Sequence, residues 1–523
     1  MSGSNRHDLL AAIDIGSNSC RLKIARVQQQ QLKVLHEDRE VTRLGASVFE
    51  TGMISPEAMA GTLVALKRFY RAVKLHGGDH VRAVATSALR DARNAQAFLA
   101  WVKSETGWNV EIISGLEEAR LIHRGVMGEP GTQGRCLLID VGGGSCEITL
   151  SDHKRIQETV SLPLGAVRLT KEFLPDDPAS EEQLARMKQF VARELRKAQR
   201  RLGALRVSLV VATSGTAAAL SQASQAMRNA PVKNGRAKNG RVRRKPLTET
   251  RNVRLLTTKL TGMNSAQRSS VPGIGPRRSE IVVAGAHVFA AVLEHFALPG
   301  FAYSELGLRD GILSQMLAEQ DAKTAAHQAF ERERWQGVLA TCKQYGVDPR
   351  QADAVRQHAL QLFRDMQPVH ELPREYGSWL EAAAMMRDVG KFMNYQGHHR
   401  HAQYIIANSE LFGFTPQQRG IMSAIARYLG KSRPDPEDRT MRPIPPEEFT
   451  RVQRAVVLLR LAVALNQDRA SDVLKVTLRV YPKRVLMELS PGRTGAELEL
   501  WSLRKEADYF REVFRRELFA ALA

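Results

Sequence analysis

From Leu9 to Val27 an apolar run ends at Asp14, breaks for the small polar residues Gly16 to Ser19, and resumes as alternation through "KIARV". That pattern predicts strand, turn, strand. The phrase "AAIDIGSNSCRLKI", Ala11 to Ile24, then returns 126 residues later as "LLIDVGGGSCEITL", Leu137 to Leu150, with Asp, Gly, Ser and Cys in register. Between the two, helical periodicity spans about Ser55 to Leu75, with Ser55 as N-cap and Pro56 in the first turn, and again about Asn94 to Thr106. "VRAVAT" reads as a strand, and "VEIISG" as a strand leading through Gly115 into a helix near Leu116. The second phrase restarts the programme: a helix at about Ser180 to Leu202, then strand, turn and helix start in "VSLVVATSGTAAAL". Mixed elements in this order predict an α/β layer architecture, and the matched hairpins predict an internal duplication, two similar lobes facing each other across a cleft.

After about Gln315 the strands almost stop. "AVRQHALQLFRDM", "WLEAAAMMRDVGKFM", "RGIMSAIARYLG" and "VQRAVVLLRLAVALNQ" read as helices, and a short strand pair, "VTLRVYP" and "RVLMELS", precedes a last helix. The expected division is a first lobe over 1–131, a second lobe over 132–315, and a helical domain over 316–523.

Composition adds charge to this picture. The 523-residue chain is 43% hydrophobic, enough for several buried cores, and its 76 Lys plus Arg against 55 Asp plus Glu give a formal charge of +21. The balance favours polyanions and does not choose among nucleic acid, anionic lipid and phosphate chains. Seven cations and no acid between Val232 and Lys245 mark a basic insertion in the second lobe, either a solvated loop or a polyanion-capturing one. Cys20, Cys136, Cys146 and Cys342 sit at no metal-binding spacing and read as buried thiols. No signal-like N-terminus and no transmembrane segment stand out, so a cytoplasmic protein is expected.

The turns suggest chemistry. A Gly/Ser turn between antiparallel strands gathers backbone N–H groups into a concavity that a phosphate enters without meeting a Cβ. Ordinary hairpins use the same residues, but a duplicated pair with matched carboxylates is harder to dismiss. Gly16, Ser17, Asn18 and Ser19 in one lobe and Gly142, Gly143, Gly144 and Ser145 in the other are candidate phosphate ligands. Asp14 and Asp140, at the strand ends, are candidates to hold Mg²⁺, with Glu147 on the returning strand. Thr86, Ser87 and Arg90 in "VATSALRDARN" offer hydroxyls and a guanidinium, or a plain helix cap. Glu117 and Glu118 open a helix, where acids also suit the dipole, and Ser214, Gly215 and Thr216 form a third candidate turn.

Taken in order, "AIDIGSNSCRL", "VATSALRDARN", "EIISGLEEARLI", "LIDVGGGSCEI" and "ATSGTAAAL" resemble the exopolyphosphatase and guanosine pentaphosphate phosphohydrolase family of the actin-like ATPase superfamily. The resemblance continues through "VPGIGPRRSEIVVAGAHV", "ELGLRDGIL" and "HHRHAQYIIANSELFGF", over nearly the whole chain. It implies duplicated actin-like (ribonuclease H-like) lobes followed by an all-α HD-like domain. It also implies hydrolysis of terminal phosphoanhydride bonds, with Glu118 as the catalytic glutamate, Asp140 and Glu147 as metal-associated carboxylates joined by Asp14, and Arg90 assisting the phosphate turns. Mg²⁺ as cofactor, inorganic polyphosphate or pppGpp as substrate, and a homodimer are expected from the same resemblance.

Where an HD phosphohydrolase carries an adjacent His-Asp pair, this chain has Arg387 beside Asp388 in "MRDVGKF", and Leu429 stands where many relatives have His. His398, His399 and His401 persist without the carboxylate partner that a hard metal wants. The helical domain is therefore expected to be catalytically silent and to serve as a basic wall for a phosphate chain. Two functions compete with exopolyphosphatase: pppGpp hydrolysis at the same site, and nonenzymatic polyanion or RNA binding. Nucleic-acid binding is not expected, because the clustered acids have no use in a purely binding scaffold.

Overall fold

The computed structural model describes residues 9–78, 80–129, 132, 134–227, 246–320, 324–468, 473–490 and 495–523, so the basic insertion lies outside the described residues. The chain forms two compact units, Met1–Thr324 and Ala325–Ala523.

The first unit contains two sheets. In the first, β1 (Leu9–Ile15), β2 (Cys20–Gln28), β3 (Gln31–Glu40), β4 (His80–Ala85) and β5 (Val110–Ile112) are ordered β3-β2-β1-β4-β5. In the second, β6 (Cys136–Val141), β7 (Cys146–Asp152), β8 (Arg155–Leu162), β9 (Leu209–Thr213), β10 (Leu247–Glu249) and β11 (Gly300–Tyr303) are ordered β10-β11-β9-β6-β7-β8. Setting aside β10, the orders are the same. In each, an antiparallel three-strand meander meets parallel strands on the side of its first strand. Even the bulges coincide, at Ile24/Ala25 and at Leu150/Ser151, the same 126 residues apart. The duplication read from two phrases thus extends through whole sheets.

β1 and β6 are buried almost throughout, as central strands flanked on both sides must be, which is why they read as unbroken apolar runs. The helix Pro56–Leu75 starts as its sequence signals: Ser55 Oγ accepts from Ala58 N, and Pro56 occupies the first turn. β3 and β8 were not anticipated, because β3 is largely solvent-facing and lacks a clean apolar alternation.

The expected boundary at 315/316 falls inside the helix Leu308–Gln320. That helix completes the first sheet's core, with Ile312 and Leu313 packed among Leu10, Ala12, Val84 and Leu121. Close approach is possible because Gly125 and Gly311 carry no Cβ: one at Gly311 would strike the Leu121 backbone, and one at Gly125 the Gly307 carbonyl. The chain therefore returns to its first lobe before leaving the unit.

The second unit is helical around one large core and carries a small sheet, β12 (Lys475–Val480), β13 (Arg484–Ser490) and β14 (Glu517–Leu522). β12 and β13 are the strand pair expected from sequence. β14, parallel to β13 and following the last helix, was not expected, so the unit is not all-α. Among the described residues no helix is long and apolar enough to cross a membrane.

Candidate active site

Each hairpin turn is built twice over by the same local logic. Gly16 N donates to Ser19 O (3.2 Å), and Gly142 N donates to Ser145 O (3.0 Å). The chain after the third strand of each meander then starts a short helix whose leading N–H groups cap the turn's carbonyls. In the first lobe Thr42 N and Arg43 N donate to Asn18 O, and Gly45 N donates to Ser17 O (2.7 Å) ahead of and within the helix Leu44–Thr51. In the second, Ala166 N donates to Gly142 O (2.9 Å), and Val167 N and Arg168 N donate to Gly143 O, at the start of the helix Ala166–Phe173. These orphan helix-start donors are satisfied by the turns they hold.

The two turns face each other closely. A Cβ on Gly143 would stand 3.0 Å from Ser17 Cβ and 3.2 Å from Asn18 N, so glycine is what lets the loops approach. Arg168 locks the back of the second turn: Nε donates to Gly144 O (2.8 Å), Nη2 to Ser87 Oγ (3.2 Å) and to Asp91, and the guanidinium lies 4.1 Å from the Phe49 ring centre. The locking contacts come from both lobes.

Between the turns lies a cavity of about 520 Å³. Its wall includes Asp14, Gly16 to Ser19, Glu118, Asp140, Gly142 to Ser145 and Ser214 to Thr216, so sequence-selected residues from four separate segments meet here. Thr86 and Ser87 join them. Ser214, in the left-handed region at φ 80°, starts a helix straight from β9. Ser17 Oγ is buried with no hydrogen-bond partner. Ser214 stands near enough to Asp140 to oppose the rise in its pKa, yet among the described residues neither Ser214 Oγ nor Asp140 Oδ1 makes a hydrogen bond of acceptable geometry. Buried polar atoms are rarely left so, except where a ligand completes them.

Glu118 sits in the first turn and a half of the helix Gly115–Val126, which Ser114 caps by accepting from Glu117 N. Burial raises its pKa well above the usual carboxylate range, and the nearby Glu147 charge adds to this while Arg90 opposes it. Arg90 takes a different place from the one expected. It does not line the cavity; Nη1 donates to Ile113 O (2.6 Å) and lies 3.6 Å from Glu118 Oε2, so it steadies the glutamate rather than the phosphate pocket. Glu147 also stands off the cavity wall, where it accepts from Ser161 Oγ (2.7 Å), and burial raises its pKa too.

Asp14 and Asp140 do reach the cavity. Burial raises both, Asp140 to about 6, with Arg21 acting against the rise. Two facing hard carboxylates, one with an unpartnered oxygen, suit Mg²⁺, which takes one or two carboxylates and completes its shell with water and phosphate. No group of three or more His, Cys, Asp or Glu able to hold a metal occurs among the described residues, so an all-protein cage is not what the site offers.

One set of residues escaped the sequence reading: Arg21, Arg39, Arg277, Arg278 and Arg309 line the same cavity. Burial, then the charges of neighbouring arginines, brings Arg39 down to about 10 and Arg278 to about 9. Arg278 lies where a Cβ on Gly215 would have to be. The signal was present for Arg21, which occupies the register position of Glu147 in the other hairpin, opposite Asp14 as Glu147 is opposite Asp140. For the others, Arg39 being more than two hundred residues from Arg277, Arg278 and Arg309, no local pattern marks out their meeting.

In the second unit, Asp388 is surrounded by basic side chains. Lys391 Nζ lies 2.9 Å away, Arg387 Nη2 3.3 Å and His398 Nε2 3.5 Å. Burial works against the charge, but Arg387 and Lys391 hold the carboxyl below its usual range. The positive charge that a metal would bring is already supplied by side chains.

Comparison with known proteins agrees with this geometry. Relatives named guanosine-5'-triphosphate,3'-diphosphate pyrophosphatase from Aeromonas salmonicida and Aeromonas hydrophila are 28% and 29% identical over 418 and 421 residues, each covering 80% of both chains. A crystal structure of an exopolyphosphatase from Cytophaga hutchinsonii, 26% identical, superposes with a TM-score of 0.54 over 60% of this chain and 98% of its own. The Ppx/GppA phosphatase family matches residues 23–320 and its domain III matches 332–507; the chain belongs to the Ppx/GppA phosphatase family.

Proposed function

We propose that the protein hydrolyses the terminal phosphoanhydride bond of inorganic polyphosphate, releasing orthophosphate from the chain end. The observation that carries this reading is the buried Glu118 carboxylate on the wall of a cavity formed by two opposed Gly/Ser turns.

With their carbonyls given to the supporting helices, and Gly16 N and Gly142 N closing the turns, the amide groups of the residues between would meet phosphate oxygens. The terminal phosphoryl group would lie between them, its bridging oxygen toward the rest of the chain. Glu118, whose burial raises its pKa and with it the basicity of its carboxylate, would take a proton from water as the water oxygen attacks phosphorus. The bond from phosphorus to the bridging oxygen breaks, and the shortened chain leaves with that oxygen. Arg90 would keep Glu118 aimed, and the five cavity arginines would hold the charge of following phosphates. Asp14 and Asp140 would hold Mg²⁺, which when bound neutralises charge on the phosphoryl oxygens. Positioning and charge neutralisation are what phosphoryl transfer demands.

A second reading, pppGpp hydrolysis at the same site, is favoured by the names of the Aeromonas relatives. Against it stands the cavity's lining, in which Tyr303 is the one aromatic for a base to stack on. Orthophosphate release from long-chain polyphosphate and from pppGpp, measured in parallel with Mg²⁺ and with a chelator, separates the two. Faster release from polyphosphate, abolished by the chelator, is expected; a preference for pppGpp moves the substrate, and release from neither removes the reading. A homodimer and a cytoplasmic setting fit this role.

A further inference from the structure

The second unit carries a surface that hydrolysis of a phosphate chain does not explain. Phe392, Met393, Tyr395 and Tyr404 are 67%, 63%, 65% and 66% exposed. Four large apolar side chains, each two-thirds in water within thirteen residues, form an unusual concentration. Two groups of ring contacts lie among them: Tyr345 with Phe392 (5.5 Å between centres), and Tyr395 with His398 (6.1 Å) and His398 with His399 (5.8 Å). Arg400 and Tyr404, four residues apart on the helix His398–Asn408, share its exposed face.

Charge surrounds these rings. Lys391 Nζ lies 5.5 Å from the Tyr395 ring centre, Arg400 is exposed, and Gly430 with the following exposed Lys431 abuts His399. The single acid from Arg387 to Tyr404 is Asp388, already engaged by Lys391, Arg387 and His398. Burial holds His398 and His399 below their ordinary value, so at neutral pH they present neutral rings.

Cations alone would suit a bare phosphate chain, which has no flat face to cover. Exposed Phe, Tyr and Met gain nothing from polyphosphate and much from stacked bases. A second copy of this chain is a poorer occupant for a different reason: a two-fold contact with its axis through the patch would press the basic residues against themselves. We propose that the surface from Lys391 to Tyr404 binds single-stranded nucleic acid, with bases stacked on Phe392, Tyr395 and Tyr404 and phosphates held by Arg400 and Lys431. The proposal reverses the expectation, drawn from sequence, that nucleic acid is not a partner. It also gives the helical second unit a role independent of the cleft.

The test uses fluorescence anisotropy on the full chain, with a labelled adenine RNA of about 15 nucleotides and an abasic strand of equal length and charge. The RNA is expected to bind more tightly than the abasic strand. Combined Phe392→Ala, Tyr395→Ala and Tyr404→Ala should weaken RNA binding by about tenfold or more, while orthophosphate release from tripolyphosphate stays unchanged. Arg400→Glu, which leaves the rings in place, should weaken RNA binding and flatten its salt dependence by about one counterion. Equal binding of RNA and abasic strand, or no binding of either, overturns the proposal. So does a triple variant that binds RNA as the wild type does and differs only by sedimenting as a monomer where the wild type is a dimer.

Discussion

The two hairpins of the first unit share strand order, bulge position, turn hydrogen bond and supporting helix, yet they differ in charge at one register position. Opposite the strand-end aspartate, the first hairpin has Arg21 and the second has Glu147. Arg21 lines the cavity; Glu147 sits off it, beside Glu118 and bonded to Ser161. On the proposed mechanism, the duplicated frame is divided into a side that would attract the anion and a side that would raise the basicity of the group taking the proton from the attacking water. Backbone geometry was kept in both copies, and function was divided by side chains.

That division is broken most severely at Glu118. Glu118→Gln keeps the size and removes the base, and should lower kcat about 10²- to 10⁴-fold with little change in KM. A smaller loss would mean that water is activated elsewhere. Removing the ionisable group at each paired position sharpens the contrast. Arg21→Ala should raise KM for polyphosphate about 10- to 100-fold, the scale of a lost charged hydrogen bond. Glu147→Gln still accepts from Ser161 but removes an ionisable carboxyl, its pKa raised by burial to about 8, from beside Glu118, so its effect should fall on kcat, stay under about tenfold and be largest above about pH 8, where Glu147 is ionised. Steady-state kinetics of the two variants side by side decides whether the hairpins serve separate tasks.

The smallest expected effect concerns the scaffold. A Cβ on Gly165 would collide with the backbone of Gly143 and Gly144, which cannot swing aside as a side-chain tip can. Gly165→Ala should destabilise the protein by about 1–3 kcal/mol, visible as a lower thermal midpoint, and should loosen only the second turn. An unchanged midpoint would show that the turn yields without cost.

Much of this was legible in the residues. The central strands announce themselves as apolar runs because both their faces are covered, and Asp14, Asp140 and the turns repeat in register because the hairpin geometry repeats. Glu118 was legible through its motif. Its partners were less so: Arg90 reads as a phosphate ligand from its place after a strand, and only the fold reveals that the Ile113 carbonyl and Glu118 hold it instead. Arg39, Arg277, Arg278 and Arg309 come together through folding over hundreds of residues, and no periodicity carries that information. The solvent-facing β3 and the late β14 were missed because partly exposed edge strands need no apolar pattern. Asp388 shows the converse: its lost histidine partner was visible in the sequence, while the lysine that takes up its charge needed the structure.

The claim that one phosphoryl group is held from both lobes is tested most directly by a double-mutant cycle on kcat/KM for polyphosphate hydrolysis, with Asp14→Asn, Asp140→Asn and the double variant. If both carboxylates serve one ion and one phosphoryl group, the double variant should be little worse than the poorer single one. Penalties that multiply independently would contradict the account and assign the two hairpins to separate sites.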